Sequence, residues 1–209
     1  MTRVVVLLGG DIAVTKRLAA QVQDCPAVAA DGGIRHAKPL GIEGNLTNWV
    51  GDFDSSSAHL QTRYATLPRH AYAAQKDMTD GELAMALALE KGATDLVLVG
   101  AFGGRADHAF AHLIAAPTLP CPFILTSGRE EALLIKGTIT PDWPVGTVFS
   151  ILALDALTGV SITNAHWPLD CVSVSPGSGL TLSNVTTGPV TISCATGRAL
   201  AIAQFDETP

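Results

Sequence analysis

Charge is scarce in this chain. Of its 209 residues only 15% are Asp, Glu, Lys or Arg, and 19 acids outnumber 13 bases for a net charge of −6. Nucleic acid is thereby excluded as a main partner, because a phosphate backbone is gripped by a dense basic surface. An anionic substrate would need local help from a metal or a few placed cations. Cysteine is sparse too. Cys25, Cys121, Cys171 and Cys194 form no CxxC, so neither a zinc site nor a disulfide framework is signalled, and reduced thiols are expected. No apolar run approaches a membrane span, and "MTRVVVLLGGD" stops at Asp11, too short for a secretory core; a cytoplasmic protein without a membrane partner is expected. Nucleotide signatures are missing as well: there is no GxxxxGK[ST], and no GxGxxG follows the first apolar run. Nor does any Ser or Cys stand with a positioned His as a nucleophile.

What is present is a core. With 47% hydrophobic residues, the chain can fill one large domain or two small ones. Up to about residue 125, short apolar runs alternate with helix-like stretches: "RVVVLL" (3–8), "AVAA" (27–30), "TNWV" (47–50), "HAYAA" (70–74), "DLVLVG" (95–100) and "CPFIL" (121–125). This rhythm predicts a parallel sheet with crossover helices. The helices are expected from an Asp11 cap to about Gln23, near 34–40 closed by Gly41, near 56–65, and from 80 to 91 closed by Gly92. Thr79 and Glu82 have capping-box spacing at the start of the last. Beyond residue 125, β-branched runs separated by Gly, Pro and Asn predict an antiparallel sandwich. The expected division is an α/β domain over 1–125 and a β-sandwich domain over 126–209.

The unusual residues fall where ligands bind in an open parallel sheet, at the C-terminal side of the apolar runs. "GGD" (9–11), "DGG" (31–33), "GDFDS" (51–55), "KDMTD" (76–80) and "GGRADH" (103–108) all stand there. Asp52 and Asp54 would project to one side if strand geometry continued through them, and their like charges call for a hard cation such as magnesium. Helix capping by the same residues accounts for them equally well. Asp77 and Asp80 stand at the entry of the capped helix, and Lys76 beside them can hold a phosphate. Gly103 and Gly104 can let backbone N–H groups approach an anion, with Arg105 adding a two-pronged contact. A tight turn with Arg105 paired to Asp107 is the alternative. His108 and His112 are four apart, but no Glu completes a zinc helix, so His112 reads as packed or surface.

Taken in order, "ADGG", "GDFDS", "KDMTD" and "GAFGGRADH" resemble the motif set of the thiamine pyrophosphokinase family. "LTGVSITNAHWPL" (157–169) and "GSGLTLSN" (177–184) resemble its C-terminal portion. The resemblance implies a Rossmann-like parallel-sheet α/β domain, a C-terminal antiparallel β-sandwich, and a homodimer with shared active sites. The implied reaction moves a pyrophosphoryl group from ATP to the hydroxyl of thiamine, releasing AMP. Asp52, Asp54 and Asp80 would hold Mg²⁺, with Asp77 close by. Lys76 and Arg105 would contact phosphate, while Asp31, Gly32, Gly33 and Asp107 would line the site. Ser183 and Asn184, with Thr181 and Trp167, would form the thiamine pocket from the partner subunit. Ile34 and Arg35 depart from the Ala-Asn that commonly follows "DGG", and Thr181 stands where a serine is often found. A nucleotide-sugar transferase would explain "DFD" but leaves "KDMTD" and "GGRADH" without a role. A pyrophosphokinase for another hydroxymethyl heterocycle and a non-catalytic thiamine or nucleotide sensor are the other readings.

Overall fold

Six short apolar segments form the parallel sheet that the alternating pattern predicts, in a computed structural model that describes residues 2–53, 56–72 and 77–206. The strands are β1 (Arg3–Leu7), β2 (Ala27–Ala30), β3 (Leu46–Gly51), β4 (Arg69–Ala71), β5 (Asp95–Val99) and β6 (Phe123–Thr126), in the order β6-β5-β1-β2-β3-β4. β1, β2 and β5 are buried almost throughout, which is why they read as unbroken apolar runs rather than as alternation. Helices α1 (Lys16–Val22), α2 (Ala58–Arg63), α3 (Asp80–Glu90) and α4 (Ala106–Ala115) belong to the same unit, which runs up to Arg129. Leu18 and Val22 of α1 join Val5, Leu7, Ala29, Trp49 and Val97 in one buried cluster. At α3 the capping box forms as its spacing predicts: Thr79 Oγ1 accepts from Glu82 N, and Glu82 Oε2 accepts from Thr79 N.

Two helices depart from expectation. The one expected from Asp11 begins at Lys16 with Thr15 as its cap, because Ala13 N donates to Ser127 O and Thr15 Oγ1 to Gly128 O, which holds 11–15 extended. The one expected near 34–40 is a 3-10 turn over Asp31–His36. Its Gly33 packs so closely on β1 that a Cβ there would stand 2.3 Å from Leu7 O. On the other side, Gly10 leaves no room for a Cβ, which would sit 2.3 Å from Phe102 O. Missing side chains thus let the ends of β1, β2 and β5 crowd together.

The second unit, Glu130–Asp206, is antiparallel. It consists of β7 (Glu130–Ile139), β8 (Val148–Ala153), β9 (Leu157–Ala165), β10 (Leu169–Val174) and β11 (Asn184–Gln204). β11 is one long strand that pairs with β9 through its first half, with β8 mainly through its second, and with β7 along its length from Ile192. The register shifts between Cys194 and Ala199, next to Gly197 at φ 89°. Such a shift bends the strand, so one strand serves both sides of a core built on Trp143, Phe149, Ile151, Val160 and Ile192. Among the described residues, no helix is long and apolar enough to cross a membrane.

His36 ties the 3-10 turn to the chain leaving β1. It is buried, and its Nε2 lies 2.8 Å from Gly10 O; a carbonyl only accepts, so Nε2 carries the proton. Burial, with the charge of Arg35 adding to it, lowers the imidazole from 6.5 to about 4. The unfolded chain therefore binds this proton first, and stability is lost as pH falls from 6.5 through 4. The loss from this group amounts to about 3 kcal/mol, at about 1.4 kcal/mol per pH unit. Melting curves of wild type and His36→Gln should converge in slope above pH 6.5 and diverge below it, the variant losing less. Parallel pH profiles would show that His36 titrates as it does in the unfolded chain.

Candidate active site

β1 and β5 are sheet neighbours although β2, β3 and β4 intervene in the chain, so the winding direction reverses between them. At such a reversal an open parallel sheet leaves a crevice outside its C-terminal ends. A cleft of about 340 Å³ opens there, floored by Gly9 and Gly10 after β1, Gly32 after β2, and Gly100 after β5.

Three carboxylates converge in it. Asp31, Asp52 and Asp80 are each half-buried and bring oxygens within 4.8 Å of one another. Their convergence follows from register. Ala30 of β2 lies opposite Val50 of β3, so Asp31 and Asp52 leave adjacent strands nearly side by side. Asp31 is further fixed by Trp49 Nε1, which donates to its carbonyl at 2.9 Å, and by Ser56 Oγ, which donates to Oδ1 at 3.1 Å. Asp80 is the first residue of α3, directly after the Thr79 cap. Two unit charges 4.8 Å apart repel by about 3–4 kcal/mol at an effective dielectric of about 20. A hard divalent cation fits this donor set, since Mg²⁺ takes carboxylate oxygens and leaves other positions for water and phosphate.

Of the residues expected to hold the metal, Asp52 and Asp80 stand in this cluster, while Asp54 lies outside the described residues, as does Lys76. Asp31, expected only to line the site, is the third acid; the usable signal was an acid directly behind the strand next to β3. Asp77 is exposed and stands away from the cleft wall.

Gly103 and Gly104, at φ 75° and 65°, form the turn after β5. Arg105 follows on the cleft wall, where its Nε donates to Asp107 Oδ1 at 3.1 Å and its Nη2 to Oδ2 at 2.6 Å. Both side chains are more than half exposed. The hydrogen bond from Arg105 pulls the Asp107 carboxyl down to about 2. His112 is buried in the wall, edge-on to His108, and burial lowers its pKa. Arg35, also on the wall, is the cation whose role the sequence left open.

In the second unit, the side chain of Asn184 is buried and occupied. Its Nδ2 donates to Trp167 O at 2.7 Å, and its Oδ1 accepts from Trp167 N and Val185 N. Thr181 is also buried, with Oγ1 donating to Ile151 O. Both therefore act on the backbone and hold up an exposed surface that includes Trp167, 56% exposed, and Ser183, held at φ 58°.

Comparison with known proteins matches residues 21–118 to the family of the thiamin pyrophosphokinase catalytic domain. A stretch of 65 residues is 42% identical to thiamine pyrophosphokinase of Bacillus subtilis (strain 168), covering 30% of this chain and 30% of that protein. In fold, the chain is similar to the crystal structure of thiamin pyrophosphokinase from Geobacillus thermodenitrificans, with a TM-score of 0.80 and 26% identity over 100% of this chain and 99% of that one. The B. subtilis thiamine pyrophosphokinase structure gives a TM-score of 0.82 at 22% identity, over 99% and 100% of the two chains. Asp31, Asp52, Asp80 and Arg105 all stand inside the segment, residues 21–118, that matches the thiamin pyrophosphokinase catalytic-domain model.

Proposed function

We propose that the protein is a thiamine pyrophosphokinase, which transfers a pyrophosphoryl group from ATP to the hydroxyl of thiamine and yields thiamine diphosphate and AMP. The observation that carries this reading is the convergence of Asp31, Asp52 and Asp80 in a glycine-floored cleft within the family-matched segment. Pyrophosphoryl transfer asks a protein mainly to align an alcohol oxygen, a phosphorus and a leaving oxygen, and to offset negative charge. Bound at the three acids, Mg²⁺ would supply that offset as a Lewis acid.

The chain's own residues supply the rest. Glycines on the cleft floor let polyphosphate approach backbone N–H groups without a side chain between. Arg105 reaches phosphate by exchanging its partner Asp107, an exposed pair that solvent already weakens. Asp107 with its pKa near 2 is a poor proton acceptor, which argues against it as the general base. Trp167 and Ser183 provide the surface for the thiamine rings, with Asn184 positioning the former. Exposed Val145, Leu152, Leu180 and Leu182, in a unit poor in charge, favour a homodimer whose partner copy completes the site. Four unpaired cysteines suit the cytoplasm.

Incubation with Mg²⁺, ATP and thiamine should yield thiamine diphosphate and AMP in equal amounts by mass spectrometry, and a chelator should abolish both. Formation of ADP with thiamine monophosphate, or turnover in excess chelator, would overturn the reading. Asp52→Asn should lower kcat/KM by at least about 100-fold, since an amide is a poor ligand for a hard cation.

A further inference from the structure

Arg35 has no part in the roles assigned above, yet its geometry is that of an anchor. It belongs to the 3-10 turn Asp31–His36, is exposed, and lines the cleft. Its Nη1 donates to Gly32 O at 3.2 Å, and its Nη2 donates to Gly9 O and, at 3.5 Å, to Gly10 O. The guanidinium is thus fixed to the chain leaving both β1 and β2. All three acceptors are neutral carbonyls, so the charge is oriented but not neutralised. Among the described residues no carboxylate pairs with Arg35, whereas Arg3, Arg63, Arg105 and Arg198 each hold an acid. A guanidinium has five N–H donors in a rigid plane and does not lose its proton at accessible pH. With Nη1 and Nη2 partly engaged, Nε and the remaining hydrogens are free to donate.

Position adds a second argument. Gly10 O, near Arg35 Nη2, also accepts from His36 Nε2 at 2.8 Å. Burial and the Arg35 charge keep that imidazole neutral above about pH 4, so the turn is clamped by one neutral and one charged donor. Only the charged one stands at the exposed cleft edge. Arg105, the other arginine of the cleft, is already held by Asp107.

We propose that Arg35 is a direct phosphate-binding residue, a standing cation that receives the polyphosphate chain of the nucleoside triphosphate donor before Arg105 is released from Asp107. The nucleotide is named on the strength of the proposed function, whereas the phosphate chemistry rests on the free charge of Arg35. A purely structural clamp on Gly9 and Gly32 is the competing account, and neutral donors would satisfy it. Arg35→Gln separates the two, since glutamine keeps N–H donors for the carbonyls and drops the charge.

The test is calorimetric titration of the full chain, in Mg²⁺, with inorganic tripolyphosphate, with a non-hydrolysable ATP analogue and with adenosine. Arg35→Gln is expected to weaken tripolyphosphate and the ATP analogue by about 10- to 100-fold, the range for lost hydrogen bonds to a charged group, and to leave adenosine within about twofold. Arg35→Lys, a point charge without the fork, should lie between. Melting curves verify folding, and should Arg35→Gln fail to fold, the lysine variant carries the test. Tripolyphosphate affinity unchanged in the folded variants, adenosine weakened as much as tripolyphosphate, or no tripolyphosphate binding by wild type would each overturn the proposal. Phosphate binding that depends on Arg35, in a chain that makes no thiamine diphosphate, would uphold this residue's role and remove the thiamine reading instead.

Discussion

Carboxylates held within 4.8 Å of one another repel, and the N-terminal unit is arranged to resist that repulsion. The resistance is mechanical. Asp31 and Asp52 leave adjacent parallel strands, which backbone hydrogen bonds keep in register from Ala30 and Val50 inward. Trp49, fully buried between Phe53, Tyr64 and the guanidinium of Arg69, holds the Asp31 carbonyl through its indole N–H. Asp80 is fixed by a helix start in which side chain and backbone cap each other. Together these contacts place the three acids at one end of the sheet.

Close approach of the strand ends is the second half of that constraint. At Gly10 and Gly33, a single added carbon would collide with a carbonyl oxygen at 2.3 Å. The same absence of side chains that permits the packing leaves a bare backbone floor, which is what a polyphosphate chain needs in order to come within hydrogen-bonding reach. Arg35 and His36 then act from one turn on the same glycine segment, one contributing charge and the other a neutral donor.

Much of this was legible because it is local. Apolar runs with acids and glycines behind them place the strands and the ligand edge, and the capping box fixes α3 from four residues. What was not legible depends on contacts distant in sequence. Residues 11–15 stay extended because Ser127 and Gly128 bind them, a constraint that no window around Asp11 contains. Asp31 meets Asp52 and Asp80 through strand register, which its own stretch of sequence does not contain. Likewise the β-branched runs beyond residue 125 read as separate strands, but β11 runs from Asn184 to Gln204 through Gly188, Pro189 and Gly197 as one strand with shifted register. Asn184 and Thr181 enter only through the resemblance, which implies a thiamine pocket, and their inward-facing bonds to Trp167 and Ile151 appear only in three dimensions.

The account stands or falls on the three acids acting as one cation site, with Asp31 as a full member. Binding of Mn²⁺ to the nucleotide-free protein, followed by electron paramagnetic resonance, tests this without any reaction. Wild type should show one protein-bound Mn²⁺ per chain, and Asp31→Asn should weaken it at least tenfold or so, as loss of a carboxylate ligand requires. An Asp31→Asn protein that binds Mn²⁺ as wild type does would contradict the account.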